Sequence, residues 1–310
     1  MKRSYKPEGF NSNFDRQSRK TVSKSILSYI GDDNIYEGNA VKCDSSLNLW
    51  VDFLGIKCMM PRDEVTYLFP GEKQKDIAII SRVGKPICFK IIGTAKSEQH
   101  GDILLISRRL AQEECLHEYI DNLIAGDVIN ARVTHMEQFG AFCDIGCGII
   151  SLLSVDCISV SRISHPKDRF DTGDNIRAVV KSRTEEGRIY ITHKELLGTW
   201  EENAKYFSQG QTVAGIVRSI ENYGIFIELA PNLAGLSELR DDVTPSETVA
   251  VYIKSMIPER MKIKLVLIDS KGAEIPKKPL QYVGDLYKSN HIDKWVYSPQ
   301  HSNKIIETIF

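Results

Sequence analysis

One four-residue phrase occurs twice in this chain at a fixed offset: Phe139-Gly140-Ala141-Phe142 and, 84 residues later, Tyr223-Gly224-Ile225-Phe226. Each copy stands at the same distance behind a Gly-led opening, Gly126-Asp127-Val128-Ile129 and Gly210-Gln211-Thr212-Val213. Two phrases that keep one spacing mark a duplicated unit. Apolar or small residues alternate before each phrase, at Ile129, Ala131 and Val133 and again at Val213, Gly215 and Val217. A period of two is that of a β-strand, so the repeat is a small β domain.

Length and charge bound what such units build. The 310 residues, 42% hydrophobic and 26% charged, suffice for two or three domains with cores of their own. Apolar runs fall short of the roughly 18 residues a membrane-spanning helix needs, and the N-terminus is polar and basic, unlike a signal peptide. The expected setting is the cytoplasm, away from membranes. Seven cysteines, an odd number spread over strand-like segments, fit reduced thiols better than a disulfide framework. Net charge is −1, but the first 30 residues carry seven Lys or Arg against two acidic residues. Such a basic arm attracts phosphate backbone or stays a solvated tail.

The chain divides into seven segments. Residues 1–32 read as a basic arm with helical spacing over 18–30, and 33–109 as a worn copy of the repeat. A helical linker is expected over 110–125, the second unit over 126–193, another helical linker over 194–209 and the third unit over 210–269. Residues 270–310 form a tail with Pro276, Pro279 and Pro299 as breakers. Its Tyr282, Trp295, Tyr297 and Phe310 make it too aromatic for plain linker, and Trp295, Tyr297 and Phe310 are expected to pack back on the third unit.

Five short strands in about 70 residues, with glycine-marked turns, is the arithmetic of an OB-fold barrel, which binds oligonucleotides on one face. The second unit resembles an S1 RNA-binding domain. The likeness rests on Gly126-Asp127-Val128, Phe139 to Gly146, Arg162-Ile163-Ser164-His165-Pro166, Thr172-Gly173-Asp174 and Glu186 to Ile191. The whole chain, with its worn first unit, resembles a short bacterial relative of ribosomal S1 proteins. The resemblance implies an all-β chain of three tandem OB-fold, S1-type five-stranded barrels joined by short helices. It also implies non-catalytic binding of single-stranded RNA, mRNA in particular, at the small ribosomal subunit.

Carried over by the resemblance, the stacking surface falls on Phe139, Phe142, Tyr223 and Phe226. A base on an aromatic ring contributes roughly 1–3 kcal/mol whatever the sequence, so these residue types suit the task. Alternation supports it: Phe142 and Asp144 share one strand face, Ala141 and Cys143 the other. Gly140 and Gly224 are expected to permit a bulge or a tight bend. Arg188 and Lys262, at the last hairpins, and Arg162, His165, Lys167 and Arg169, in the loop before the fourth strand, are the expected phosphate contacts.

Several positions depart from the family pattern. Ser154 and Glu238 stand where many S1 domains have histidine, and Thr184 and Pro258 replace an acidic residue before the last hairpin. The third unit lacks the basic loop. The first carries Leu47 and Trp50 at the aromatic positions, with Trp50 expected to pack. These departures keep open a protein-interaction scaffold, or an RNA-turnover or regulatory factor with partly vestigial domains. Cys143, Cys147, Cys157 and His165 offer zinc-type donors, but Cys143 falls where the pattern has an inward apolar residue. Arg82 to Pro86 lacks the glycine and hydroxyl a phosphate loop needs. No nucleophile-base constellation stands out, so no enzyme activity, metal or cofactor is expected.

Overall fold

The computed structural model describes residues 5–10, 29, 31, 33–97, 101–269 and 281–310. Most of the helix expected over 18–30, and residues 270–280, lie outside them.

Three closed five-stranded barrels follow one another. The first comprises β1 (Tyr36–Cys43), β2 (Leu49–Phe53), β3 (Ile56–Met60), β4 (Pro86–Ser97) and β5 (Gly101–Ser107). The second comprises β6 (Val128–Glu137), β7 (Gly140–Asp144), β8 (Ile150–Ser154), β9 (Asn175–Arg183) and β10 (Ile189–Thr192). The third comprises β11 (Thr212–Glu221), β12 (Gly224–Ala230), β13 (Leu233–Ser237), β14 (Thr248–Ile257) and β15 (Lys262–Asp269). In each, the first strand pairs with the second and fourth, and a parallel contact between the third and fifth closes the ring. Closure removes the open edges at which sheets aggregate.

The duplicated phrases become the second strand of their barrels, and period two sorts their side chains. Ala141 and Cys143 point inward, as do Ile225 and Ile227, all buried. Each first strand carries a register shift at one equivalent place, between Ala40 and Lys42, Val133 and His135, and Val217 and Ser219. An extra residue sharpens strand twist and lets a short sheet curl shut. The glycines of the phrase stand where a side chain would obstruct the barrel. A Cβ on Gly140 would lie 2.6 Å from the Leu153 carbonyl oxygen, and one on Gly224 2.5 Å from that of Ser237. They admit the neighbouring strand, while the bulge sits on the preceding one.

The connections are short. Between the first two barrels runs α2 (Arg108–Glu118), capped by the Ser107 hydroxyl accepting from the Leu110 N–H at 3.0 Å; a single turn, α1 (Asp76–Ile80), lies in the connection between β3 and β4 of the first barrel. Between the second and third barrels, a 3-10 turn at Lys194–Leu197 precedes α3 (Trp200–Ala204), where Thr199 and Glu202 form a capping box.

Residues 5–10 are docked between the first two barrels. The Glu8 carboxylate receives Arg108 Nε at 2.6 Å and Nη2 at 3.0 Å, and the Cys88 N–H at 3.0 Å. The Glu8 N–H donates to Asp144 Oδ2 at 2.7 Å. Burial alone would raise the Glu8 carboxyl, but the Arg108 guanidinium outweighs it and holds Glu8 below the usual carboxylate range. The arm grips through its acidic residue.

The tail straps the second and third barrels together. Val128 and Ile292 N–H groups donate to Asn290 and Gly126 carbonyls at 2.9 Å each. Trp295 and Tyr297 are buried with Val217, Leu233 and Ile263 of the third barrel, and the Tyr297 hydroxyl donates to the Asn232 carbonyl at 2.5 Å. The chain ends in a small hairpin of β16 (Lys294–Val296) and β17 (Glu307–Ile309), with Phe310 partly buried against the same cluster.

Candidate nucleic-acid interface

Strand register builds an outward row on the second barrel. The β6–β7 hairpin turns in two residues, Gln138 and Phe139, with Glu137 opposite Gly140 and His135 opposite Phe142. Phe142 in turn faces Leu152 on β8, and Leu152 faces Tyr190 on β10. His135, Phe142, Leu152 and Tyr190 thus cross four strands as a band. The His135 ring stacks on Phe142 at 6.0 Å and 23°, and Phe139 at the turn stands edge-on to Phe142 at 5.9 Å and 89°.

The third barrel repeats the arrangement. Ser219, Phe226, Leu236 and Lys264 occupy the equivalent row, and Tyr223 stands edge-on to Phe226 at 6.0 Å and 90°. Phe139 is 56% exposed and Tyr223 66%; Phe142 and Phe226 are half-buried. Exposed aromatic rings at a barrel surface are of the kind on which flat ligands can stack. The tail leaves Tyr223 open.

The first barrel lacks the pair. Its row is Lys42, Trp50, Met59 and Leu105. The five-residue loop Asp44 to Asn48 replaces the two-residue turn, and Leu47 takes φ +63° and packs against the barrel core. Trp50 donates its Nε1–H to Asp44 Oδ2 at 3.1 Å. Burial would raise the Asp44 carboxyl, but hydrogen bonds from Asn48, Trp50 and Ser46 outweigh it and hold the group low.

The predicted cations fare differently. Arg162, Lys167, Arg188 and Lys262 are exposed. His165 is half-buried, and its Nδ1 accepts the Lys167 N–H at 3.0 Å to cap a short 3-10 turn. Arg169 requires a correction. It was expected to meet phosphate, yet it is 7% exposed and gives its guanidinium to Glu228 of the third barrel. A polar loop residue became an inter-barrel clamp because β12 presents a carboxylate to it. Its neighbour Asp168 pairs with Arg218 of the third barrel at 3.1 Å.

Sequence reasoning missed His135 and Tyr190. The two-residue turn carries the signal for His135, since it fixes the residue opposite Phe142; Tyr190 depends on the barrel closing. Cys143 and Cys157 are buried free thiols. Among the described residues no group of three or more His, Cys, Asp or Glu is placed to hold a metal ion. No described helix is long and apolar enough to cross a membrane.

Residues 122–194, the second barrel with its flanks, match the family model of the S1 RNA binding domain. The second barrel carries the S1 signature. Beyond it, the chain is similar to the small ribosomal subunit protein bS1 of several bacteria. It is 29% identical to that of Leuconostoc lactis over 61% of this chain and 43% of the relative. For Rhizobium meliloti the identity is 27%, over 70% of this chain and 40% of the relative, and for Rhodopseudomonas palustris 30%, over 60% and 32%. The matched stretch thus spans less than half the length of each of these curated relatives.

Proposed function

We propose that this protein binds single-stranded RNA, mRNA in particular, along the aromatic rows of its second and third barrels, without catalysis, in translation at the small ribosomal subunit. The observation that carries the reading is the repeated edge-on ring pair, Phe139–Phe142 and Tyr223–Phe226, with nearly the same geometry on two barrels. The S1 match of the second barrel and the bS1 names of the similar proteins support it.

Each row offers stacking surface that any base satisfies, at roughly 1–3 kcal/mol per base. Arg188 lies at the end of the second row and Lys262 and Lys264 at that of the third, where cations meet phosphate. Tandem barrels reinforce one another, because RNA held on one row reaches the next at high effective concentration. Base stacking needs unpaired bases, so the ligand is single-stranded.

Fluorescence anisotropy with matched single- and double-stranded RNA tests the reading. Binding confined to the single strand, weakening steeply with salt and reduced by Phe142→Ala with Phe226→Ala, is expected. Unchanged affinity in that double variant would overturn it.

A further inference from the structure

Arg188, at the end of the second barrel's aromatic row, is held by a turn from the first barrel. Residues Phe69-Pro70-Gly71-Glu72 form a β-turn closed by the Glu72 N–H donating to the Phe69 carbonyl at 3.0 Å. Proline at the second position and Gly71 at φ +84° suit a type II turn, which needs a left-handed third residue. The turn folds the Glu72 side chain back so that one carboxylate oxygen accepts the Phe69 N–H at 3.1 Å. The other oxygen meets Arg188 Nη2. The Arg188 guanidinium also lies over the Phe69 ring, 5.0 Å from its centroid, and Tyr67 stands edge-on to Phe69 at 5.5 Å. Gln112 of α2 anchors the base of the loop by accepting the Tyr67 N–H at 2.8 Å.

Arg188 and Tyr190 share one strand parity, which puts them about 7 Å apart on the outward face. The guanidinium therefore lies beside Tyr190 along the strand direction, flanking the row that runs from His135 through Phe142 and Leu152 to Tyr190. A carboxylate on such a guanidinium fills the place that a phosphate takes, since the two anions present similar oxygens to the same donor fork.

We infer that the Phe69–Glu72 turn of the first barrel is part of the RNA site of the second: Glu72 occupies the phosphate position on Arg188 until RNA displaces it, and Phe69 keeps the guanidinium aimed along the aromatic row. The inference rests on the stacking reading above. Arg188 and Glu72 keep 48% and 39% of their side-chain surface exposed, and an exposed ion pair is weak enough for a phosphate to replace. Glu72 therefore tunes affinity without blocking the row, and the bound strand extends onto the first barrel.

The test is anisotropy of the full chain with a labelled oligouridylate of about 12 nucleotides, within the span an OB barrel covers. Glu72→Gln keeps an acceptor for the Phe69 N–H and should tighten binding about three-fold; Phe69→Ala should weaken it by a similar factor. Both effects should vanish in an Arg188→Ala background. Glu201→Gln, which removes an exposed carboxylate from α3, is the charge control. If Glu72→Gln has no effect, or tightens binding equally without Arg188, or if Glu201→Gln matches it, the inference falls, while the stacking reading survives as long as Phe142→Ala still weakens binding. If Phe142→Ala changes nothing, both fall.

Discussion

Arg169 of the second barrel lies against Glu228 of the third, Nη2 to Oε2 at 2.5 Å, with side chains only 4% and 5% exposed. Glu228 and Asp144 stand 84 residues apart, at the same place on the second strand of their barrels. Both are buried, and both are capped by a neighbouring segment. Asp144 accepts from the Glu8 N–H of the arm and from Gly146 and Gly148; Glu228 accepts from Arg169 and Arg218. The duplicated acid marks where each barrel is docked by what lies beside it.

Removing either side of the clamp leaves a buried charge without its partner, which costs about 3–5 kcal/mol. Arg169→Ala should sit at the low end, because Glu228 keeps Arg218 at 2.8 Å. Glu228→Ala strands the Arg169 guanidinium and leaves Arg218 with Asp168 alone, so it should cost more. Urea unfolding of the two variants would show this order, and the reverse order would contradict the clamp.

Glu8→Ala should destabilise the junction of the first two barrels by about 3 kcal/mol, since Arg108 is fully buried and pairs with Glu8 through two nitrogens. Limited proteolysis should then cut near α2 faster than in the parent protein. An unchanged cleavage rate would mean that the arm is dispensable.

Exposed and inward rings should separate cleanly. Phe139→Ala at the hairpin tip should change stability by no more than about 0.5 kcal/mol while weakening RNA binding. Phe170→Ala removes a ring with no exposed surface and should cost about 3–5 kcal/mol. Thermal unfolding and anisotropy on the same samples compare both.

His193 gives a pH dependence with a defined sign. Burial, aided by the Arg169 guanidinium and opposed by the bond to the Ile158 carbonyl, lowers its pKa from 6.5 to about 4. At neutral pH the ring is therefore uncharged, and because Nδ1 donates to the Ile158 carbonyl at 3.1 Å, Nε2 is the unprotonated nitrogen. Below pH 6.5 the unfolded chain takes up a proton that the folded chain refuses. Stability from this residue is therefore complete above about pH 6.5 and is lost as pH falls toward 4, by about 3 kcal/mol in total. His193→Asn should flatten that part of the acid limb in denaturant titrations; an identical slope would refute the assignment.

The sequence by itself determined the repeat, the strand period and the aromatic phrase, because these depend on alternation and spacing within a few residues. What only the tertiary structure decided is which polar residues face solvent and which are consumed between barrels. Arg169, Arg188 and Glu8 have the same local character as any loop charge; their fates differ because Glu228, the Phe69–Glu72 turn and Arg108 meet them from 59 to 119 residues away. Tyr190 joined the row only when β8 paired with β10. Strand period is a short-range property of the backbone, whereas pairing of charges across barrels depends on how closed domains dock, and no local pattern encodes that.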